Sequence, residues 1–538
     1  MRTQTFAVAT LLVAHAWSLN ADTYPRQAAV DAIHYRFAVT VALDGGRIEG
    51  EAVATLRLLA PIREIALDLV SASNGDAGMK VSAVSLGGHP ISYSHEANRL
   101  RLRVPEAAAP GQDLVYTIAY SGLPADGLRT LATIYGDWSV FSDNWPDRAR
   151  HWLPMIDHPY DKATGELIVT APAEYQVVSN GALVEEVDLG NGRRQTHWRQ
   201  SVPIASWLFT LGVARFDVHH AGRVQNVPLQ TWVFPQDRAQ GRSIFEETSR
   251  RAMDFFSQRV GPYPYQKLAN VQAAGITGGM ENATAIFYGE KSVTSGRVPV
   301  IHEIAHQWFG NSVTERDWDD VWLSEGFATY FAHLYTEHHE GREAFVHGLA
   351  ENRAKVLELE SKTPDTPVIH RNLADMQRVL NQLVYQKGGW ILHMLRAEVG
   401  TDMFWKGTRE YYRRYRDQNA SSDDFRQVME QASGKSLKPF FDQWLRRAGV
   451  PRLEGTWRYR REHKEIEVNL SQTQRGQPFS LTVEVGLADT SGRTLATSRQ
   501  SFDARSTTFR VPVAAEPATV SLDPETWLLA DLRPLLRR

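Results

Sequence analysis

Apolar and polar positions alternate with a period of two from about Tyr24 to Val202. Tyr35, Phe37, Val39, Val41 and Leu43 keep the rhythm, Leu114, Tyr116, Ile118 and Tyr120 repeat it, and Leu100, Leu102 and Val104 alternate with Arg99, Arg101 and Arg103. Successive side chains of a strand point to opposite faces, so this rhythm, punctuated by Gly, Asn, Asp and Pro, predicts antiparallel sheets with one wet face. The arginine row reads as a solvated strand face. Around Gly241 the period lengthens: Ile244, Thr248, Ala252 and Phe255 fall at helical spacing, and Ser243 with Glu246 predicts a capped helix start. Helical signals dominate to Trp444-Leu445, where Arg446-Arg447, Gly449 and Pro451 mark a stop. Beyond Arg452 alternation returns in Ile466, Val468 and Leu470, in Leu481, Val483, Val485 and Leu487, and in Phe509, Val511 and Val513. These strands fit one small β-sandwich.

At 538 residues the chain is too long for a single hydrophobic core, and 43% apolar and 22% charged residues are proportions of a folded protein. The expectation is a multidomain α+β chain: an N-terminal antiparallel β domain over residues 22–205, a mainly helical domain over 206–450 and a C-terminal β-sandwich over 451–538. Residues 1–21 read as a secretory signal, with Arg2 as the positive end, Phe6 to Ala14 as the apolar core and Ala14-His15-Ala16 as a small-x-small cleavage site. Cleavage after Ala21 competes with cleavage after Ala16. The apolar run is short of the ~20 residues a membrane span requires, so no membrane association is expected once the signal is gone. A formal charge of −3 gives no reason to expect nucleic acid as a partner. The absence of cysteine excludes disulfides, thiol catalysis and thiolate metal sites. A periplasmic or secreted location follows as an expectation. No sequence signal bears on the oligomeric state.

The chemistry concentrates in IHEIAHQWFG and in a glutamate within WLSEGFA. On a helix, His302 and His306 project from one face at adjacent turns, while Glu303 is rotated about a quarter turn to their side. Gly310-Asn311 offers a helix stop, and a second helical pattern from about Val321 to His338 carries Glu325 near its start and an apolar stripe of Leu323, Phe327, Phe331 and Leu334. Two antiparallel helices would return Glu325 to the histidines. Two imidazoles and one carboxylate make a zinc ligand set with an open fourth position for water, the arrangement of a hydrolytic site. The five-letter motif alone also fits an amphipathic helix with two surface histidines; Glu325 favours the single zinc ion.

HExxH-x18-E followed by GFATYF resembles the gluzincin aminopeptidases of the aminopeptidase N type, relatives of the leukotriene epoxide hydrolase. Gly278-Gly279-Met280-Glu281-Asn282 is similar to their G-A/G-M-E-N substrate strand, and Tyr385-Gln386-Lys387-Gly388 to their Tyr-x-Lys-Gly segment. The resemblance runs from about residue 30 to about residue 450 and implies a thermolysin-like catalytic domain. It implies Glu303 as general base and acid, Tyr385 as oxyanion donor, Glu281 as the anchor of a substrate α-ammonium, and peptides with a free N-terminus as partners. A thermolysin-like endopeptidase and an epoxide hydrolase remain alternatives on the same scaffold. One departure concerns specificity. Trp145-Pro146-Asp147-Arg148-Ala149-Arg150 stands where many relatives have E-P-x-x-A-R, so tryptophan replaces an acidic or amide residue, with Asp147 or Asp143 as candidate substitutes. Asn311, Asp319 and Asp320 are candidates to orient a zinc histidine, with solvated loop positions as the plainer reading.

Overall fold

The computed structural model describes residues 22–42, 45–72, 77–370 and 375–538; the candidate leader and Leu43 lie outside them. The first alternating stretch forms three sheets. The largest orders eight strands as Ala182–Gly190, Arg193–Ala205, Lys162–Pro172, Val30–Val41, Ile48–Leu58, Asp113–Leu123, Gly78–Leu86 and His89–Pro90. Tyr35, Phe37, Val39 and Val41 are buried, as are Leu114, Tyr116, Ile118 and Tyr120 on Asp113–Leu123, two strands away in the same sheet. One pairing departs from the antiparallel expectation: Val30–Val41 runs parallel to Lys162–Pro172, with Phe37 opposite Leu167. Alternation reports which face of a strand is buried, not the direction of its neighbour. Arg101 and Arg103 are exposed as expected, whereas Arg99 turns to the buried Asp68 carboxylate and lies over the Tyr24 ring. Leu211–Ala214 still pairs with Gln176–Ser179 and Trp138–Ser142, and the next strand, Asp217–Val224, enters a different sheet.

That sheet is mixed and opens the mainly helical part, in the order Asp217–Val224, Val227–Val233, Leu268–Ala273, Ala285–Gly289 and Gly279–Met280. Gly279–Met280 is its edge, antiparallel to Ala285–Gly289. The helices are α1 (Arg238–Arg259), α2 (Glu290–Ser295), α3 (Val300–His306), α4 (Trp322–Glu340), α5 (Arg342–Lys362), α6 (Gly388–Val399), α7 (Thr401–Tyr415), α8 (Ser422–Ser433) and α9 (Lys438–Leu445). The start of α1 corrects the sequence reading. Pro235 leads a 3-10 turn directly into it, so Ser243 lies inside the helix and Glu246 bonds His219 Nδ1 at 2.6 Å instead of capping. A reciprocal capping box is found at α8, between Ser421 and Asp424.

The last stretch makes a five-stranded and a three-stranded sheet whose apolar faces meet, with Phe502 and Phe509 rings 5.6 Å apart. Among the described residues no helix is long and apolar enough to cross a membrane.

Candidate active site

α3 is short, and the chain reverses just after it at Gly310, whose φ of +106° suits glycine. Phe309, in the reversal, packs 4.7 Å from both Phe327 and Phe331, and all four residues of the α4 stripe are buried. Each such ring contributes about 2 kcal/mol by burial, which fixes α4 against the end of α3. The result is a convergence of three donors. His302 Nε2 and His306 Nε2 are 3.1 Å apart, and Glu325 Oε2 is 3.3 Å from each.

The donor set fits a zinc ion. His306 Nδ1 faces the Phe309 carbonyl at 3.2 Å and Ser324 Oγ at 3.0 Å. A carbonyl only accepts, so Nδ1 carries the proton and the Nε2 lone pair points at His302 and Glu325. Glu325 Oε2 is buried without a hydrogen-bond partner. Electrostatics agree. Burial pushes the Glu281 carboxyl up to about 7, with Glu325 adding repulsion and His306 offsetting part of it. Burial and then Glu281 raise Glu303 well above the carboxylate range. Burial opposes charge on Glu325, yet His306 and His302 hold it at about 2. Burial likewise opposes a charged His306, yet Glu281 and Glu325 lift it to about 10. Carboxylates crowded around two imidazoles with little exposure to solvent are what a divalent cation neutralises.

Glu281, Glu303 and His306 also place their donor atoms within 4.8 Å of one another. Glu303 rests on bare backbone: a Cβ on Gly279 would lie 2.3 Å from its Oε1. The Glu281 carbonyl accepts from Gln307 Nε2 at 2.9 Å and Asn311 Nδ2 at 2.6 Å, so the chain following α3 fixes the Glu281 backbone. Gly279, Met280 and Glu281 line the cleft, whereas Gly278 and Asn282 flank the edge strand and shape its turn: the Gly278 carbonyl accepts from Gly289 N and the Asn282 carbonyl from Ala285 N. Tyr385 sits in a π-helical turn, Leu383–Lys387, a form frequent at functional sites and not signalled by the sequence. Its ring stacks 6.2 Å from that of His302. The turn is brought to α4 by two glycines, since a Cβ on Gly326 would meet the Gly388 backbone at 2.9 Å. Lys387 is buried and bonds Glu360 at 2.7 Å and the Gly449 carbonyl at 2.9 Å, so it anchors the turn.

His302, His306, Glu325, Glu303, Glu281 and Tyr385 line a cleft of about 510 Å³. Trp145, Asp143 and Arg148 form part of its wall, and Asp143 pairs with Arg148 at 2.5 Å. Asp147 instead pairs with Arg150. Of the proposed orienting residues, Asn311 serves the Glu281 backbone, and Asp320 accepts from Ser422 Oγ and N. Asp319 is buried. The residue that reaches His306 is Ser324, which only its place beside Glu325 hinted at. Thr329 and His333 were legible as the same α4 face as Glu325, four and eight residues on.

Residues 31–208 match the Peptidase M1 N-terminal domain and residues 245–444 the Peptidase family M1 domain. Glutamyl aminopeptidase of Sus scrofa is 31% identical over 329 residues, 58% of this chain and 35% of that protein. Leucyl aminopeptidase of Saccharolobus solfataricus is 27% identical over 398 residues, 70% of this chain and 49% of that protein. The chain thus spans a third to a half of the length of these relatives. The crystal structure of an M1 zinc metallopeptidase from Deinococcus radiodurans superimposes with a TM-score of 0.69 at 26% identity, covering 79% of this chain and 95% of that one.

Proposed function

This chain belongs to peptidase family M1, and on that premise we propose that it is a zinc-dependent aminopeptidase hydrolysing N-terminal residues from peptides. The observation that carries the reading is the buried Glu281 beside Glu303 and His306, at the end of a free sheet edge. An exopeptidase must hold the α-ammonium of its substrate about one residue from the reacting bond, and a buried carboxylate does so by charge-assisted hydrogen bonding. The names of the relatives support the reaction class, and they differ in the first residue named.

His302, His306 and Glu325 would hold one zinc ion, which when bound supplies Lewis acidity to the carbonyl and lowers the pKa of water. An extended substrate adds to the Gly279–Met280 edge as a further strand. Glu281 receives its ammonium, with Asp143 on the facing wall. Glu303 takes the proton of the attacking water and passes it to the leaving amine. Tyr385 donates its O–H to the carbonyl oxygen as negative charge grows there. Burial and the facing Glu325 and Glu281 raise its pKa far above the ordinary value, so it stays protonated.

A panel of free and N-acetylated aminoacyl fluorogenic substrates, with and without chelator, tests this reading. Free amines should be cleaved, acetylated ones spared, and activity lost to chelator and restored by zinc. Equal cleavage of blocked substrates would make the protein an endopeptidase. The proposal extends to export, on the N-terminal pattern alone. Sequencing of the mature protein should begin at Trp17 or Asp22, and an intact Met1 would contradict it.

A further inference from the structure

Building on the aminopeptidase reading, we infer that Asn352 and His333 form a second recognition point that grips a peptide unit of the leaving chain, favouring peptides of four or more residues over single-residue amides. Glu281 and the edge strand, where the amine end is fixed, cluster with Glu303 and His306. Thr329 and His333 of α4 and Asn352 of α5 are a further polar part of the same lining, and the leaving chain is assigned to them. Glu325, Thr329 and His333 follow one another at four-residue steps on one helix face, so His333 stands roughly 12 Å along the axis from Glu325. An extended peptide advances about 3.4 Å per residue. A chain cut at the metal ligands therefore reaches His333 with about its third or fourth remaining residue.

The pair is built for a polar ligand. Asn352 is 8% exposed, and its Nδ2 lies 2.8 Å from His333 Nε2. With the amide donating, the ring accepts at Nε2 and is neutral, in keeping with burial pulling its pKa down to about 4. The opposite ring edge packs on Gly348 so closely that a Cβ there would meet it at 2.8 Å, which fixes the ring and through it the amide. Among the described residues nothing bonds the Asn352 carbonyl oxygen. That oxygen and the second N–H complement the N–H and C=O of one peptide unit.

The test compares the holoenzyme on a leucyl arylamide reporter, which ends at the cut bond, with release of leucine from Leu-Ala-Ala-Ala-Ala, which continues four residues past it. Wild type should show the higher kcat/KM on the pentapeptide. Asn352→Leu, similar in volume, should lose about tenfold on the pentapeptide, mainly through KM, the size of one good hydrogen bond, and stay within about twofold on the reporter. Asn352→Ser should show the same selective loss. A parallel fall on both substrates in both variants, or an unchanged pentapeptide rate, overturns the inference. Wild type inert on both substrates would overturn the aminopeptidase reading beneath it.

Discussion

Glu281→Gln removes one negative charge from a residue that is 6% exposed, while the bonds from Gln307 and Asn311 to its backbone remain. The perturbation is therefore electrostatic rather than architectural. An ammonium held at ~3.5 Å in a medium of effective dielectric ~20 gains about 5 kcal/mol from a carboxylate. The glutamine carbonyl still accepts a hydrogen bond and recovers about 1–2 kcal/mol of this. A net loss of about 3–4 kcal/mol corresponds to a fall of about 10²–10³ in kcat/KM on aminoacyl reporters. The assay pairs those kinetics with metal analysis, because the three zinc ligands are untouched and zinc content should stay at the wild-type level. A loss below about threefold with zinc retained would refute the reasoning. So would loss of zinc in step with activity, which would make Glu281 part of the metal site.

Three other outcomes are expected. Tyr385→Phe should lower kcat about 10²–10³-fold, the cost of one oxyanion donor, with KM and zinc content little changed; an equal rise in KM would assign the phenol to ground-state binding. Ser324→Ala leaves His306 Nδ1 with only the Phe309 carbonyl, so zinc affinity measured by competition with a chelator should fall about tenfold; no change would mean the carbonyl alone orients the ring. His393 donates from Nε2 to the Thr526 carbonyl at 2.8 Å and accepts from Tyr330 O–H at Nδ1, 3.0 Å away, and burial depresses its pKa to about 3. Its folded pKa lies below the unfolded value of about 6.5, so the unfolded chain binds the extra proton between those limits and stability falls as pH drops through that window. Urea unfolding between pH 6.5 and 4 should show a slope of up to about 1.4 kcal/mol per pH unit that His393→Gln, able to make both bonds, removes; equal slopes would refute the assignment.

What the sequence made legible is what depends on local periodicity. His302 and His306 share a face because they are four apart. Glu325 returns to them because the apolar stripe of its helix needs a cover, and Phe309 against Phe327 is that need satisfied. Strand alternation likewise named Phe37 and Tyr116 as buried. The parallel pairing of Val30–Val41 with Lys162–Pro172 was out of reach, because both directions bury the same face. The start of α1 was misread because a serine–glutamate pair outweighed Pro235 in the pattern, and the tertiary partner of Glu246, His219, has no local signature. Asn311 was one of three candidates to orient a zinc histidine, with a solvated loop position as the plainer reading. Its amide reaches the Glu281 carbonyl, 30 positions away in sequence, through the approach of α3 to the edge strand. Asn352 and His333 meet only because α4 and α5 pack side by side.

Everything in the account depends on a cation at the meeting point of α3 and α4. Anomalous diffraction from crystals at the zinc absorption edge tests this most directly. The expected map has a single strong peak per chain, bound by Nε2 of His302, Nε2 of His306 and the carboxylate of Glu325. A peak elsewhere, or zinc-supplemented active crystals with no peak at that trio, would contradict it.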